Sequence, residues 1–286
     1  MEQMKSTPTL TDFSRRRIEI PLAEQWVLRS RAERRSYQIM VAQPLGSPPP
    51  SGYPVIYLLD GNSVFGMMVE ALRLQCRRPD KTGVLPAVVV GIGYETNGPY
   101  APDRFYDFTP LPALDFKQRS DGTPLPEQGG AGAFLQFIEE ELKPQIESEF
   151  QIDRNRQALF GHSLGGLFTI YTLFSKPEAF QYYIAGSPSL HWNPDYMQEL
   201  ERKFIAQARM QERPLPARVL LGVGELEKTH VCRNCERANE LANRLSAISA
   251  AIGVEAEYKE FEQEGHVSVL PILVSRALRF ALHPDK

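Results

Sequence analysis

Gln157-Ala158-Leu159-Phe160-Gly161-His162-Ser163-Leu164-Gly165-Gly166 is the stretch on which the reading of the whole chain turns. Its first four residues form a short apolar run bounded by glycine, as a buried strand does. From Leu164 to residue 174 the apolar residues recur at helical spacing. Between the two stands G-x-S-x-G, with Gly161, Ser163 and Gly165 in the fixed places. A tight strand-to-helix turn of this kind lifts the serine hydroxyl clear of the sheet. The glycines have a steric reason: a side chain at either would collide where strand and helix cross, and the serine backbone is itself strained. The helix that follows aims its free N–H groups and partial positive charge at the reacting centre.

Working outward, residues 54–59 and 86–92 are continuous apolar runs, the mark of strands covered on both faces. Residues 182–185, 218–223 and 255–261 read as further strands. Helical patterns occupy 64–74, 133–150 (with Pro144 as a kink), 195–209, 236–252 and 267–282. This alternation predicts an α/β fold: a mostly parallel sheet with helices on both faces and right-handed crossovers. The N-terminal part differs. Residues 16–20, 26–28 and 37–41 read as strands with no helix between them, so an antiparallel hairpin is expected there, around the charged turn 31–35. Residues 99–128 are rich in Pro, Asp and Gly and lack periodicity. A structureless excursion of that length is usually functional, which places it near the active site. No repeat or long linker divides the chain, and the expectation is one domain over 1–286.

Composition narrows the function classes. With 286 residues, 42% hydrophobic, the chain can bury a large core without covalent staples. A formal net charge of −3 leaves no footprint for nucleic acid or an anionic membrane. The N-terminus has no signal-peptide apolar core, and no run approaches a membrane span. The expected compartment is the cytoplasm, or the periplasm if a leader has been removed. The three cysteines are too few, and odd in number, for a disulfide framework. Cys232-Arg233-Asn234-Cys235 is a C-x-x-C with no second ligand pair, so neither a zinc site nor a redox centre is expected from it. No cofactor or metal is implied; the partner is a small-molecule ester.

A serine hydroxyl needs a base to take its proton, and the base needs an acid to orient it. In this architecture the chain order is Ser, then Asp or Glu, then His, each beyond the C-terminal end of a strand. Of the five histidines, His266 lies between the last strand and the last helix, where the base belongs. His162 is inside the elbow, His191 and His230 follow strands, and His283 is near the chain end. For the acid, Glu227 and Glu225 compete in Gly224-Glu225-Leu226-Glu227, with Glu227 preferred and a Ser–His dyad as the third possibility. The oxyanion needs two preorganised N–H donors. One is the amide of Leu164. The other is assigned to Asn62 in Asp60-Gly61-Asn62, with Gly61 as its rival; the same tripeptide is also ordinary turn chemistry.

The assembled pattern resembles a known family. Residues 53–62, Gly161-His162-Ser163-Leu164-Gly165-Gly166, Ser187-Pro188-Ser189 with Trp192, and Glu264-Gly265-His266 are similar to the putative-esterase (esterase D-like) family of α/β-hydrolases. Gly93-Tyr94 and Arg104-Phe105-Tyr106-Asp107-Phe108-Thr109-Pro110 bring it nearest to trilactone hydrolases of catecholate siderophores, the ferric-enterobactin and bacillibactin esterases. The resemblance implies the α/β-hydrolase fold, Ser163 as nucleophile, His266 as base, Glu227 as acid and the amides of Leu164 and Asn62 as oxyanion donors. It implies a serine carboxylic-ester hydrolase that cuts a ferric siderophore for iron release. The alternatives are a general carboxylesterase, a thioesterase of the S-formylglutathione-hydrolase kind, an acyltransferase on the same site, or a non-catalytic binding protein of the same fold.

A ferric tris-catecholate is a trianion, so a site for it is expected to gather arginines. Arg104 is the first candidate, with Arg77, Arg78 and Lys81 behind it. Arg104 has a competing reading, a structural pair with Asp107. Trp192 either stacks on a catechol ring or packs its loop.

Overall fold

A computed structural model describes residues 18–113, 118, 122–210 and 216–284. The strands are β1 (Ala23–Arg29), β2 (Ser36–Ala42), β3 (Tyr53–Leu58), β4 (Val88–Gly93), β5 (Ile152–His162), β6 (Tyr182–Gly186), β7 (Ala217–Gly224) and β8 (Val254–Phe261). They form one eight-stranded sheet in the order β1-β2-β4-β3-β5-β6-β7-β8. β1 pairs with β2, and β2 with β4, antiparallel; every pairing from β4 to β8 is parallel. The expected N-terminal hairpin is therefore β1–β2. Residues 16–17 lie outside the described residues, and 18–20 carry no strand, so the first expected strand is not found where it can be seen. Its alternation was too short to commit a backbone that instead turns into β1.

The helices are α1 (Gly61–Gln75), α2 (Pro79–Thr82), α3 (Arg104–Phe108), α4 (Ala131–Phe137), α5 (Lys143–Glu149), α6 (Leu164–Ser175), α7 (Pro194–Met210), α8 (Asn234–Ala247), α9 (Ser249–Ile252) and α10 (Val269–Ala281). Strand residues alternate between two cores. Val55, Tyr57 and Leu159 face the layer of α4, α6 and α8, whereas Ile56, Leu58 and Phe160 face α1 and α10. Burial on both faces is why the central strands read as unbroken apolar runs.

Two expectations are corrected in detail. The helix read over 133–150 is a helical run in which a π turn, Ile138–Leu142, separates α4 from α5. Pro144 has no N–H to donate and its ring crowds the carbonyl four residues back, so the turn before it widens. The excursion at 99–128 is not structureless throughout: it contains α3, and Asn193 Nδ2 ties its carbonyls at Leu111 and Pro112 to the loop after β6, at 3.1 Å each.

Candidate active site

Each functional segment leaves the C-terminal end of a parallel strand, the edge at which sites of open α/β sheets lie. Ser163 follows β5, Ser187 follows β6, Glu227 follows β7 and His266 follows β8. Ser163 has φ 60° and ψ −115°, a conformation that residues with a Cβ rarely adopt. The turn is held: Ser163 N–H donates to the Gly186 carbonyl at 2.8 Å, and its own carbonyl accepts from Ser189 N–H at 3.1 Å. At Gly161 an added Cβ would stand 2.2 Å from the Gly165 carbonyl oxygen, so only glycine lets β5 meet α6 this closely.

His266 Nε2 lies 3.1 Å from Ser163 Oγ, and His266 Nδ1 lies 2.7 Å from Glu227 Oε2. The side chains expected to act together are thus within hydrogen-bonding reach, in the arrangement a nucleophile, a base and an orienting acid require. Glu225 does not face His266: its carboxylate accepts from Gln263 N–H on the outer side of the same turn. Gly224 makes the approach possible, since a Cβ there would be 2.4 Å from the Glu264 carbonyl oxygen. Leu226 N–H then ties the turn that carries Glu227 to that carbonyl at 2.9 Å.

Glu227 is 4% exposed. Burial acts to raise its carboxyl, but hydrogen bonds from His266, Ser187 and the Gly224 N–H outweigh it and bring the group down to about 2. The donors stand at 2.7 Å, 2.5 Å for Ser187 Oγ and 3.0 Å for Gly224 N–H, with Asn234 Nδ2 at 3.3 Å. Glu227 is therefore a fixed anion facing the imidazole.

Sequence reasoning assigned no role to three residues that the structure brings into this network. Ser187 and Asn234 hold the Glu227 carboxylate. His162 donates from Nε2 to the backbone carbonyl of His266 at 2.6 Å and so pins the loop that carries that imidazole. Burial, and then the nearby His266, push the His162 imidazole down to about 3, so it stays neutral. A polar residue inside the elbow and a serine at the end of β6 were the available signals, but the partners lie far along the chain.

The cleft over Ser163 has a volume of about 570 Å³. Trp192, 8% exposed, lines it beside Phe105, with ring centroids 5.9 Å apart. Arg104 also lines it, yet its fork is bonded to Asp60 at 2.8 Å twice, not to Asp107. Asp107 instead accepts from the hydroxyls of Tyr37 and Tyr94. The alternative Arg104–Asp107 pair is thereby corrected. Arg77, Arg78 and Lys81 do not line the cleft. They follow the C-terminus of α1, whose 15 residues carry the chain about 22 Å from the active-site edge. Among the described lining residues Arg104 is the one arginine, so the expected arginine cluster is not what covers this serine.

Leu164 opens α6 and lines the cleft, where its N–H has no acceptor within the helix. Asn62 lies in the first turn of α1, so its N–H is likewise without an intrahelical acceptor. The Asn62 side chain is bound elsewhere, to the backbone of residues 94 and 96. Cys235 is buried with Sγ towards the Gly224 carbonyl at 3.4 Å, and Cys232 lines the cleft. Among the described residues no group of three or more His, Cys, Asp or Glu side chains is arranged to hold a metal ion.

Comparison with known proteins places this geometry among relatives. The family model described as "Putative esterase" matches residues 30–269. A ferri-bacillibactin esterase (BesA) of Bacillus subtilis (strain 168) is 54% identical over 267 residues, 93% of this chain and 91% of that protein. A siderophore enterobactin esterase of Emericella nidulans is 35% identical, over 85% of this chain and 88% of its own length. A crystal structure of the BES protein from Bacillus cereus superposes with a TM-score of 0.87 at 42% identity, covering 95% of this chain and all of that one.

Proposed function

This chain belongs to the "Putative esterase" family, and from that premise we propose that it is a serine hydrolase acting on the trilactone backbone of a ferric catecholate siderophore. The observation that carries the chemistry is the position of His266, 3.1 Å from Ser163 Oγ on one side and 2.7 Å from Glu227 on the other. Anionic Glu227 holds the proton of neutral His266 on Nδ1, which leaves Nε2 as a lone pair facing the hydroxyl. His266 takes the Ser163 proton as Oγ attacks the ester carbonyl. The amides of Leu164 and Asn62 receive the oxyanion. The tetrahedral intermediate then expels the alcohol, which takes the proton back from His266. Water enters, gives a proton to His266 and attacks the acyl-enzyme; as the second tetrahedral intermediate collapses, His266 returns that proton to Ser163 Oγ and the acid leaves. Each turn consumes one ester bond and one water.

The substrate assignment is supported by the names of the relatives, which are esterases of ferri-bacillibactin and enterobactin. Opening the ring lengthens and loosens the tether between the iron-binding arms, and further cuts release them, so chelation weakens through lost effective concentration. The wild-type protein and Ser163→Ala are to be incubated with ferric and iron-free catecholate trilactones and with short acyl esters, and the products weighed by mass spectrometry. Ring-opened siderophore is expected with wild type alone. Intact siderophore beside cleaved short esters would refute the substrate; wild-type turnover by Ser163→Ala would refute the nucleophile.

A further inference from the structure

The turn assigned the second oxyanion amide, Asp60-Gly61-Asn62, is gripped from both ends. At one end Arg104 Nε and Nη2 donate to Asp60 Oδ1 and Oδ2, each at 2.8 Å. Asp60 is 4% exposed and Arg104 8%. At the other end the Asn62 amide accepts from Tyr94 N–H at 2.8 Å and donates to the carbonyls of Tyr94 and Thr96 at 2.9 and 3.3 Å. Between them Gly61 packs against β2 and β4 with no space for a side chain, since a Cβ there would lie 2.7 Å from Met40 Cε and 3.0 Å from the Gly91 carbonyl carbon. Asp60 itself has φ 52°, in the left-handed region. Aspartate enters that region more readily than most residues with a Cβ, and the contacts at both ends of the turn hold it there.

Charge makes the grip more than structural. An added Cβ on Gly165 would be 3.6 Å from Asp60 Oδ2, so the carboxylate lies against the elbow, one residue beyond the Leu164 amide. A buried anion thus sits beside the place where negative charge develops. Left unanswered in a site of low polarity, it would repel the oxyanion. Arg104 answers it, with the ring centroids of Tyr100 and Phe108 at 5.1 and 5.4 Å from its guanidinium carbon.

We propose that Arg104 is a positioning residue for the oxyanion site: by pairing with Asp60 it fixes the turn and cancels the buried charge there, and it is not the counter-ion of an anionic substrate. This rests on the serine-hydrolase reading above. An arginine so held contributes little net positive charge to the cleft, although its place in the lining invites the opposite interpretation.

The test measures kcat and KM of the full chain on a neutral p-nitrophenyl ester and on a ferric catecholate trilactone, with thermal melts of each variant. Arg104→Met is expected to lower kcat on the neutral ester about 100-fold, as loss of an oxyanion donor does, with KM within about threefold. The double variant Asp60→Asn/Arg104→Met is expected to run at least about tenfold faster than Arg104→Met alone, because the unanswered charge is gone. Wild-type kcat in Arg104→Met would overturn the proposal. So would a double variant no faster than the single, or a KM rise confined to the ferric siderophore. Should Arg104→Met not fold, Arg104→Gln, which keeps one N–H for Asp60, is expected to lose about tenfold in kcat, and wild-type kcat in it would overturn the proposal. Ser163→Ala separates the two levels. Activity in that variant defeats the hydrolase reading itself, whereas its inactivity beside an unimpaired Arg104→Met defeats the Arg104 assignment alone.

Discussion

Replacing Glu227 by glutamine keeps the shape of the acid and inverts its meaning to the imidazole. In the wild type one carboxylate oxygen accepts from Ser187 Oγ and Gly224 N–H, and the other faces His266 Nδ1 and Asn234 Nδ2. In Glu227→Gln the amide oxygen takes the place of Oε1, because the Gly224 N–H at 3.0 Å is a backbone donor that cannot change role, whereas the imidazole facing Oε2 can change tautomer. The NH₂ then faces His266 and donates to Nδ1. A neutral imidazole so bound carries its own proton on Nε2, where it cannot accept one from Ser163. Loss of the correct tautomer is expected to lower kcat about 1,000-fold, or about 4 kcal/mol of barrier, with KM nearly unchanged. Initial rates on a p-nitrophenyl ester, with a thermal melt to show that the fold persists, measure this. A folded Glu227→Gln with kcat within about threefold of wild type would refute the reasoning and leave a Ser163–His266 dyad.

The remaining predictions concern the groups around that carboxylate and the elbow. Glu227 is held below its unfolded value, from 4.5 to about 2, so it contributes stability above pH 4.5 that is lost as pH falls through 2. The full contribution is about 3 kcal/mol, and denaturant unfolding of wild type and Glu227→Gln across pH 2 to 6 should converge at the acid end. Ser187→Ala removes the 2.5 Å hydrogen bond to Glu227 and should raise the pH at which that stability is lost, with a loss of about tenfold in kcat read from the same ester assay. Gly161→Ala drives a Cβ to 2.2 Å from a backbone oxygen and should cost at least about 3 kcal/mol or abolish folding, as measured by urea unfolding.

What could be read from the residues alone follows from what is local. The β3 and β5 runs are apolar because both sides of each strand are covered, and the elbow announces itself because its glycines stand two residues to either side of the serine they serve. His266 was legible because it is the one histidine between the last strand and the last helix. Glu227 and Glu225 lie two residues apart, and only the fold decides that one turns inward to His266 while the other meets Gln263. Arg104 illustrates the limit most sharply. Its spacing to Asp107 on α3 favours an in-helix pair, but Asp60 offers a two-pronged acceptor, and Asp107 is taken by tyrosines from β2 and from the end of β4. Partners of that kind are chosen by strand order, β4 lying beside β3 rather than after it in sequence, and no local pattern records it. Ser187, Asn234 and His162 were missed for the same reason.

The most direct test of the central claim is covalent. A fluorophosphonate probe phosphonylates a serine activated by its histidine, and peptide mass mapping locates the adduct. The account predicts one adduct on the peptide containing Ser163, and none in His266→Ala. Labelling at another serine, or undiminished labelling of Ser163 when His266 is gone, would contradict it.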